Sequence, residues 1–150
     1  MAPLICLVVV TLSARLAGWL GWDYAHGWAD GWPAAVAVGL AAMFVVTGVA
    51  HFAAPLRDGL IAIVPPWLPA PGLLVTMTGA LELLGAVGLL IPQTRVAAAA
   101  CLALLMVAMF PANVYAAGAK RSEHAPDTAL VPRTLMQALF LAAAVLVAVG

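Results

Sequence analysis

An all-α, polytopic transmembrane helical bundle is the fold class this sequence predicts, and three observations predict it. The chain of 150 residues is 66% hydrophobic and 8% charged, with mean hydropathy +1.13. Soluble domains carry roughly a quarter charged residues, so this chain cannot clothe a core with a charged surface and must use lipid as its outer solvent. The apolar residues are also gathered into five windows near the 20 or so residues that cross a bilayer, at about 3–20, 34–52, 73–91, 96–117 and 132–149. Finally, these windows are rich in Ala and Leu and lack the ten-residue alternation of membrane strands, so helices are expected. The length fits one domain spanning residues 1–150.

The first window is interrupted by Arg15. A cleaved signal peptide is the competing reading, because Ser13-Ala14-Arg15 follows an apolar run. A basic leader and a small-x-small site ahead of a soluble chain are both missing, so a retained helix is expected. Residues 21–32, GWDYAHGWADGW, hold Trp22, Tyr24, Trp28 and Trp32 and adjoin Trp19. This is an interfacial aromatic cluster, and Arg15 is expected to snorkel toward Asp23 or Asp30. After the 34–52 span, residues 53–72 carry Pro65, Pro66, Pro69 and Pro71. The part at 56–64 can form one short helix lying in the interface. The 91–95 link between the next two spans is short enough for a hairpin, so these spans are antiparallel neighbours. Residues 118–131, GAKRSEHAPDTALV, form the most polar link before the last span.

Five spans put Arg57, Lys120, Arg121 and Arg133 at one end of the bundle, here side A, and leave Arg95 and Arg15 toward side B. The positive-inside rule then makes A cytoplasmic and the N-terminus internal. Formal net charge is zero and no basic run occurs, so nucleic acid is set aside as a partner.

The candidate site follows from depth. Glu82, in GALELLGAVGLL, lies on the order of 14 Å from the A end of its span at 1.5 Å per residue. Side chains lean toward a helix's N-terminus, so this carboxyl leans toward A. His51 is at the A end of the second span, and Asn113 is about one turn from the A end of the fourth. Arg133 and Gln137 occupy the first two turns of the last, one turn apart on one face. Together these residues predict one polar pocket opening to A with Glu82 as its floor. An intramembrane carboxylate costs several kcal/mol unless paired or protonated and usually marks a site; a clamp between helices is the bland alternative. Asn113 can instead satisfy backbone freed by Pro111, and Arg133 can anchor to headgroups. Gly79, Gly85 and Gly88 are expected to permit close helix packing.

Other chemistry finds no support. Cys6 and Cys101 fall at opposite ends of their spans, too far apart for a disulfide. Two matched intramembrane histidines for haem, a zinc ligand set, a phosphate loop and a Ser-His-Asp pattern are not evident. Electrons for any redox chemistry would have to come from a partner or a bound quinone.

The combination of His51-Phe52 with Pro55, Val64-Pro65-Pro66-Trp67-Leu68-Pro69, Thr78-Gly79, Glu82-Leu83, Pro92-Gln93-Thr94-Arg95 and Phe110-Pro111-Ala112-Asn113, followed by Arg133 and Gln137, resembles the DoxX family of small bacterial membrane proteins. The resemblance runs over residues 48–117 and into the last span. It implies a four-helix membrane core, here with one added N-terminal helix. It also implies that the 92–95 hairpin lies inside, opposite to the charge count. Family members are linked to membrane oxidoreductase systems, including a quinone-reducing one, and distant relatives look like assembly chaperones. The resulting expectation is a non-autonomous subunit of a quinone-linked redox system in the cytoplasmic membrane, with no built-in cofactor, a bound quinone and a membrane or peripheral oxidoreductase partner. Glu82 would exchange protons, and His51, Asn113, Gln137 and Arg133 would bind ligand. The alternatives are a non-enzymatic scaffold or assembly factor and, less favoured for want of an inverted repeat, a small-solute or proton carrier.

Overall fold

The computed structural model describes residues 2–20, 31–125 and 128–150, and these are all-helical. In chain order the helices are α1 (Ala2–Trp19), α2 (Gly31–Ala50), α3 (Leu56–Ala62), α4 (Pro71–Leu90), α5 (Arg95–Ala117) and α6 (Leu130–Val149). All except α3 are long and apolar enough to cross a membrane. Each predicted span is present within a few residues of its expected limits, and the short helix falls inside 56–64. The aromatic link at 21–30, with Asp23 and Asp30, lies outside the described residues.

Four helices close a ring: α2 packs on α4, α4 on α5, α5 on α6, and α6 returns to α2. Helix α1 adds to the outside, against α2. Small residues explain why α2 takes the central place. Ala34, Ala35, Ala37 and Ala41 are buried with Gly39 and Gly48, so neighbouring backbones can approach on several faces. A Cβ at Gly39 would collide with the Thr11 hydroxyl of α1. Leu40, Met43 and Phe44 fill the ring from α2, meeting Ala86 and Leu89 of α4, Ala99 and Leu102 of α5, and Ala144 and Val147 of α6. Large apolar side chains such as Leu84, Leu104 and Val145 point outward, as lipid-facing residues must.

The connections are fitted to the helix ends. Pro71 opens α4, where its missing N–H costs nothing. At the other end the Thr94 hydroxyl donates to Gly88 O at 2.9 Å and Arg95 Nε donates to Leu89 O at 3.1 Å. Both satisfy carbonyls that the end of α4 leaves without helical partners. Thr94 and Arg95 therefore earn their place in the hairpin as caps. At side A, Leu60 and Ile63 pack against Ala116 and Ala125, fixing the α3 segment to the start of the α5–α6 link.

The contact that sets the helix register is between α2 and α4. A Cβ on Gly48 would come within 2.9 Å of Leu83, and one on Gly79 would collide with His51 Cβ and lie 2.9 Å from its Cγ. Gly79→Ala should therefore lower stability by about 1–3 kcal/mol, the usual range for overpacking. Gly72→Ala, whose Cβ would find ordinary contacts at 3.8 Å and beyond, should stay within about 0.5 kcal/mol of the parent. Thermal unfolding in one detergent checks both, and equal losses would contradict this account of the crossing.

Candidate functional site

The close α2–α4 crossing brings Thr47 and His51, one helical turn apart, against Glu82. The Thr47 hydroxyl donates to Glu82 Oε2 at 2.6 Å. His51 Nδ1 lies 2.8 Å from Thr47 O and 3.9 Å from the same carboxyl oxygen. A carbonyl can only accept, so Nδ1 carries the proton and donates to Thr47 O. In neutral His51, Nε2 is then an acceptor. Glu82 and His51 are 3% and 5% exposed, buried well beyond what unpaired polar groups tolerate.

Thr47 also suits either protonation state of the carboxyl. It donates to the carboxylate as drawn. With Glu82 protonated, the carboxyl O–H can donate to Thr47, whose own proton can turn toward Phe44 O at 3.4 Å. One carboxyl oxygen and one ring nitrogen stay uncommitted. Among the described residues, no hydrogen bond reaches Glu82 Oε1 or His51 Nε2, and neither atom is sealed from contact.

Arg57 of α3 holds this arrangement from above. Its Nη1 donates to His51 O at 2.8 Å, and its Nη2 donates to Gly72 O at 3.1 Å and Thr76 Oγ1 at 3.0 Å. One guanidinium thus ties the end of α2 to the first turns of α4. Burial holds the His51 pKa below its ordinary value; the bond to Thr47 opposes this, and the Arg57 charge adds to the lowering.

Asn113, Arg133 and Gln137 form a separate group between α5 and α6. Arg133 Nη1 donates to Asn113 Oδ1 at 3.2 Å, and Asn113 Nδ2 donates to Gln137 Oε1 at 3.2 Å. Gln137 Nε2 completes the relay by donating to Met106 O at 2.6 Å. Arg133 Nε donates to Thr128 O at 3.2 Å. Both amides use their oxygen and nitrogen within the relay. Arg133 is 8% exposed and is engaged inside the bundle, so it is no headgroup anchor. Pro111 lies inside α5, and it is Gln137, not Asn113, that reaches a carbonyl in the turn before it.

The expected single pocket is therefore corrected to two hydrogen-bonded groups, Glu82–Thr47–His51 and Arg133–Asn113–Gln137. The expected depth of Glu82 changes as well. Gly79 lies beside His51 and Glu82 bonds Thr47, so the carboxyl is level with the last turn of α2. The first turns of α4 continue past the end of α2, beside α3. Counting along one helix assumed a common plane that the helix ends do not share.

Sequence reasoning missed Thr47 and Arg57. The Thr47–His51 spacing of four, which puts both on one face, was an available signal. Arg57 had none beyond its charge. Cys6 and Cys101 are free thiols. Among the described residues no cluster of His, Cys, Asp and Glu could hold a metal ion.

The His51 environment has a pH consequence. Its native pKa is lowered, so as pH falls through about 6.5 the unfolded chain takes up a proton before the native one does. Stability contributed by neutral His51 is complete above that pH and declines below it, until the native imidazole also protonates. From pH 8 to 5 the detergent unfolding midpoint of the parent should fall relative to that of His51→Gln. Parallel curves for the two would contradict the assignment.

Residues 40–148 match the family model of DUF8561, a domain of unknown function. The match runs from the middle of α2 through α6, covering most of the ring and omitting α1. No curated protein and no solved structure matches the chain. With most of its length accounted for by that one model, the chain belongs to the DUF8561 family.

Proposed function

We propose that this protein is a non-autonomous subunit of a quinone-linked redox system in the cytoplasmic membrane, with a DoxX-like four-helix core and side A facing the cytoplasm. The observation that carries the reading is the pair of uncommitted atoms, Glu82 Oε1 and His51 Nε2, in an otherwise satisfied buried group. With its proton on Oε1 rather than shared with Thr47, Glu82 offers one donor, and neutral His51 offers one acceptor. This complement fits a head group whose oxygens alternate between carbonyl and hydroxyl.

A bound quinone would supply two-electron, two-proton carrier chemistry, with the electrons delivered by an oxidoreductase partner. The chain's own work is proton handling. Glu82 Oε1 gives up or receives one proton while Thr47 keeps donating to Oε2, His51 Nε2 accepts a hydrogen bond from a hydroxyl, and the second proton is exchanged with water. Arg57 keeps His51 in place through its backbone carbonyl.

A second reading is a scaffold or assembly factor. It is favoured by the Arg133–Asn113–Gln137 relay, whose amide oxygens and nitrogens are each engaged within the chain and whose evident effect is to lock α5 to α6. The two readings assign different roles to the two groups and can be separated.

Protein purified in mild detergent should carry a stoichiometric quinone identifiable by extraction and mass spectrometry. Glu82→Gln should remain folded and lose it, whereas Gln137→Leu should keep it while costing about 1–3 kcal/mol of stability for the unpaired groups left behind. Absence of quinone from the parent even after adding it back, or its retention in folded Glu82→Gln, would overturn the redox reading in favour of the scaffold.

A further inference from the structure

The described arginines are not alike. Arg57, Arg95, Arg121 and Arg133 each donate hydrogen bonds to carbonyls or side chains of the chain. Arg15 does not: among the described residues its recorded interaction is with the Trp32 ring, whose centroid lies 5.7 Å from the guanidinium carbon. It is also placed where a cation is expensive. Arg15 is in α1, about 6 Å from that helix's end at 1.5 Å per residue. Leu12 and Leu16 flank it in the span, and α1 has its extensive contact with α2 alone.

The guanidinium reaches back toward the rim. Side chains of α1 lean toward its N-terminus, away from the end where Trp19 stands, yet Arg15 lies over Trp32 in the first turn of α2. Here Leu12, Arg15, Leu16, Trp19 and Trp32 line an open notch of about 350 Å³. Trp19 and Trp32 are exposed, and indoles favour the headgroup level of a bilayer. The notch thus has an apolar wall of Leu12 and Leu16, a cation with donors to spare, and two indoles at its mouth.

We propose that this notch binds an anionic phospholipid, with Arg15 pairing with the lipid phosphate and Leu12 and Leu16 receiving the upper part of an acyl chain. A guanidinium fork matches two phosphate oxygens at once, and the bond is charge-assisted on both sides. A net anionic lipid is selected because a zwitterionic headgroup brings its own cation close to Arg15. The site is at the end of the bundle opposite Arg57 and independent of the Glu82 group.

The test uses the full chain, delipidated in detergent and titrated with phosphatidylglycerol, phosphatidylcholine or inorganic phosphate under native mass spectrometry. Phosphatidylglycerol should bind as a discrete adduct in preference to the other two. Arg15→Gln should weaken that adduct about tenfold or more, the scale of one lost charge-assisted hydrogen bond. Arg121→Gln, at the other end, should leave it unchanged. Leu12→Trp, which fills the notch while keeping the cation, should also reduce binding and serves if Arg15→Gln does not fold. Equal phosphatidylglycerol binding by folded Arg15→Gln or by Leu12→Trp would overturn the proposal. So would equal binding of phosphatidylcholine, or of inorganic phosphate, at matched concentration.

Discussion

The close crossing of α2 and α4 governs the rest of this molecule. Gly48 and Gly79 remove the side chains that would hold the two helices apart, and only then can Thr47 reach Glu82 at 2.6 Å. In lipid the hydrophobic effect gives helices little reason to associate, so packing of small residues and interhelical hydrogen bonds carry the association. Both act at this crossing, and the carboxyl is tolerable because the backbones come close enough for a partner on the facing helix. The remainder of the ring follows from it: α5 and α6 enclose the other faces of α2 and α4, and α1 is an outer addition.

Two polar groups inside one bundle differ in what they leave over. The Arg133–Asn113–Gln137 relay runs from a cation through two amides to a backbone carbonyl, each donor pointing onward to the next acceptor. Each amide oxygen and nitrogen is engaged within the chain, and the evident consequence is a fixed α5–α6 pair. The Glu82–Thr47–His51 group has its carboxyl and imidazole buried more deeply than those amides, yet retains an open oxygen and an open nitrogen. Arg57 gives that group its rigidity, since three acceptors on α2 and α4 converge on one guanidinium. The contrast separates a group that holds helices together from one that can meet a ligand.

Much of the fold was legible because apolar run length and proline position are strong signals in lipid. The spans, the short α3 and the α4–α5 hairpin were all readable, as were the isolation of Glu82 and the nearness of His51. Relative height was not. Glu82 counted as deep along α4, but α4 starts beyond the end of α2, a displacement set by α3 and the proline-rich segment before Pro71. Depth along the chain also groups Asn113 and Gln137 with Glu82, because it says nothing about which neighbour a side chain faces. Arg57 read as a topological charge, and its role emerged only when three acceptors from distant parts of the chain were brought to it. In the sequence the Pro92-Gln93-Thr94-Arg95 turn is only a pattern, whereas its physical content is the capping of α4.

A ligand meeting the Glu82 carboxyl would change that group's protonation or hydrogen bonding. Infrared difference spectroscopy, recorded as added quinone is reduced to quinol on the purified protein, reads a carboxyl directly through its C=O stretch. The account predicts a carboxyl difference band in the parent that disappears in folded Glu82→Gln and persists in Gln137→Leu. A parent spectrum with no carboxyl change while quinone is reduced, or a band that survives Glu82→Gln, would contradict it.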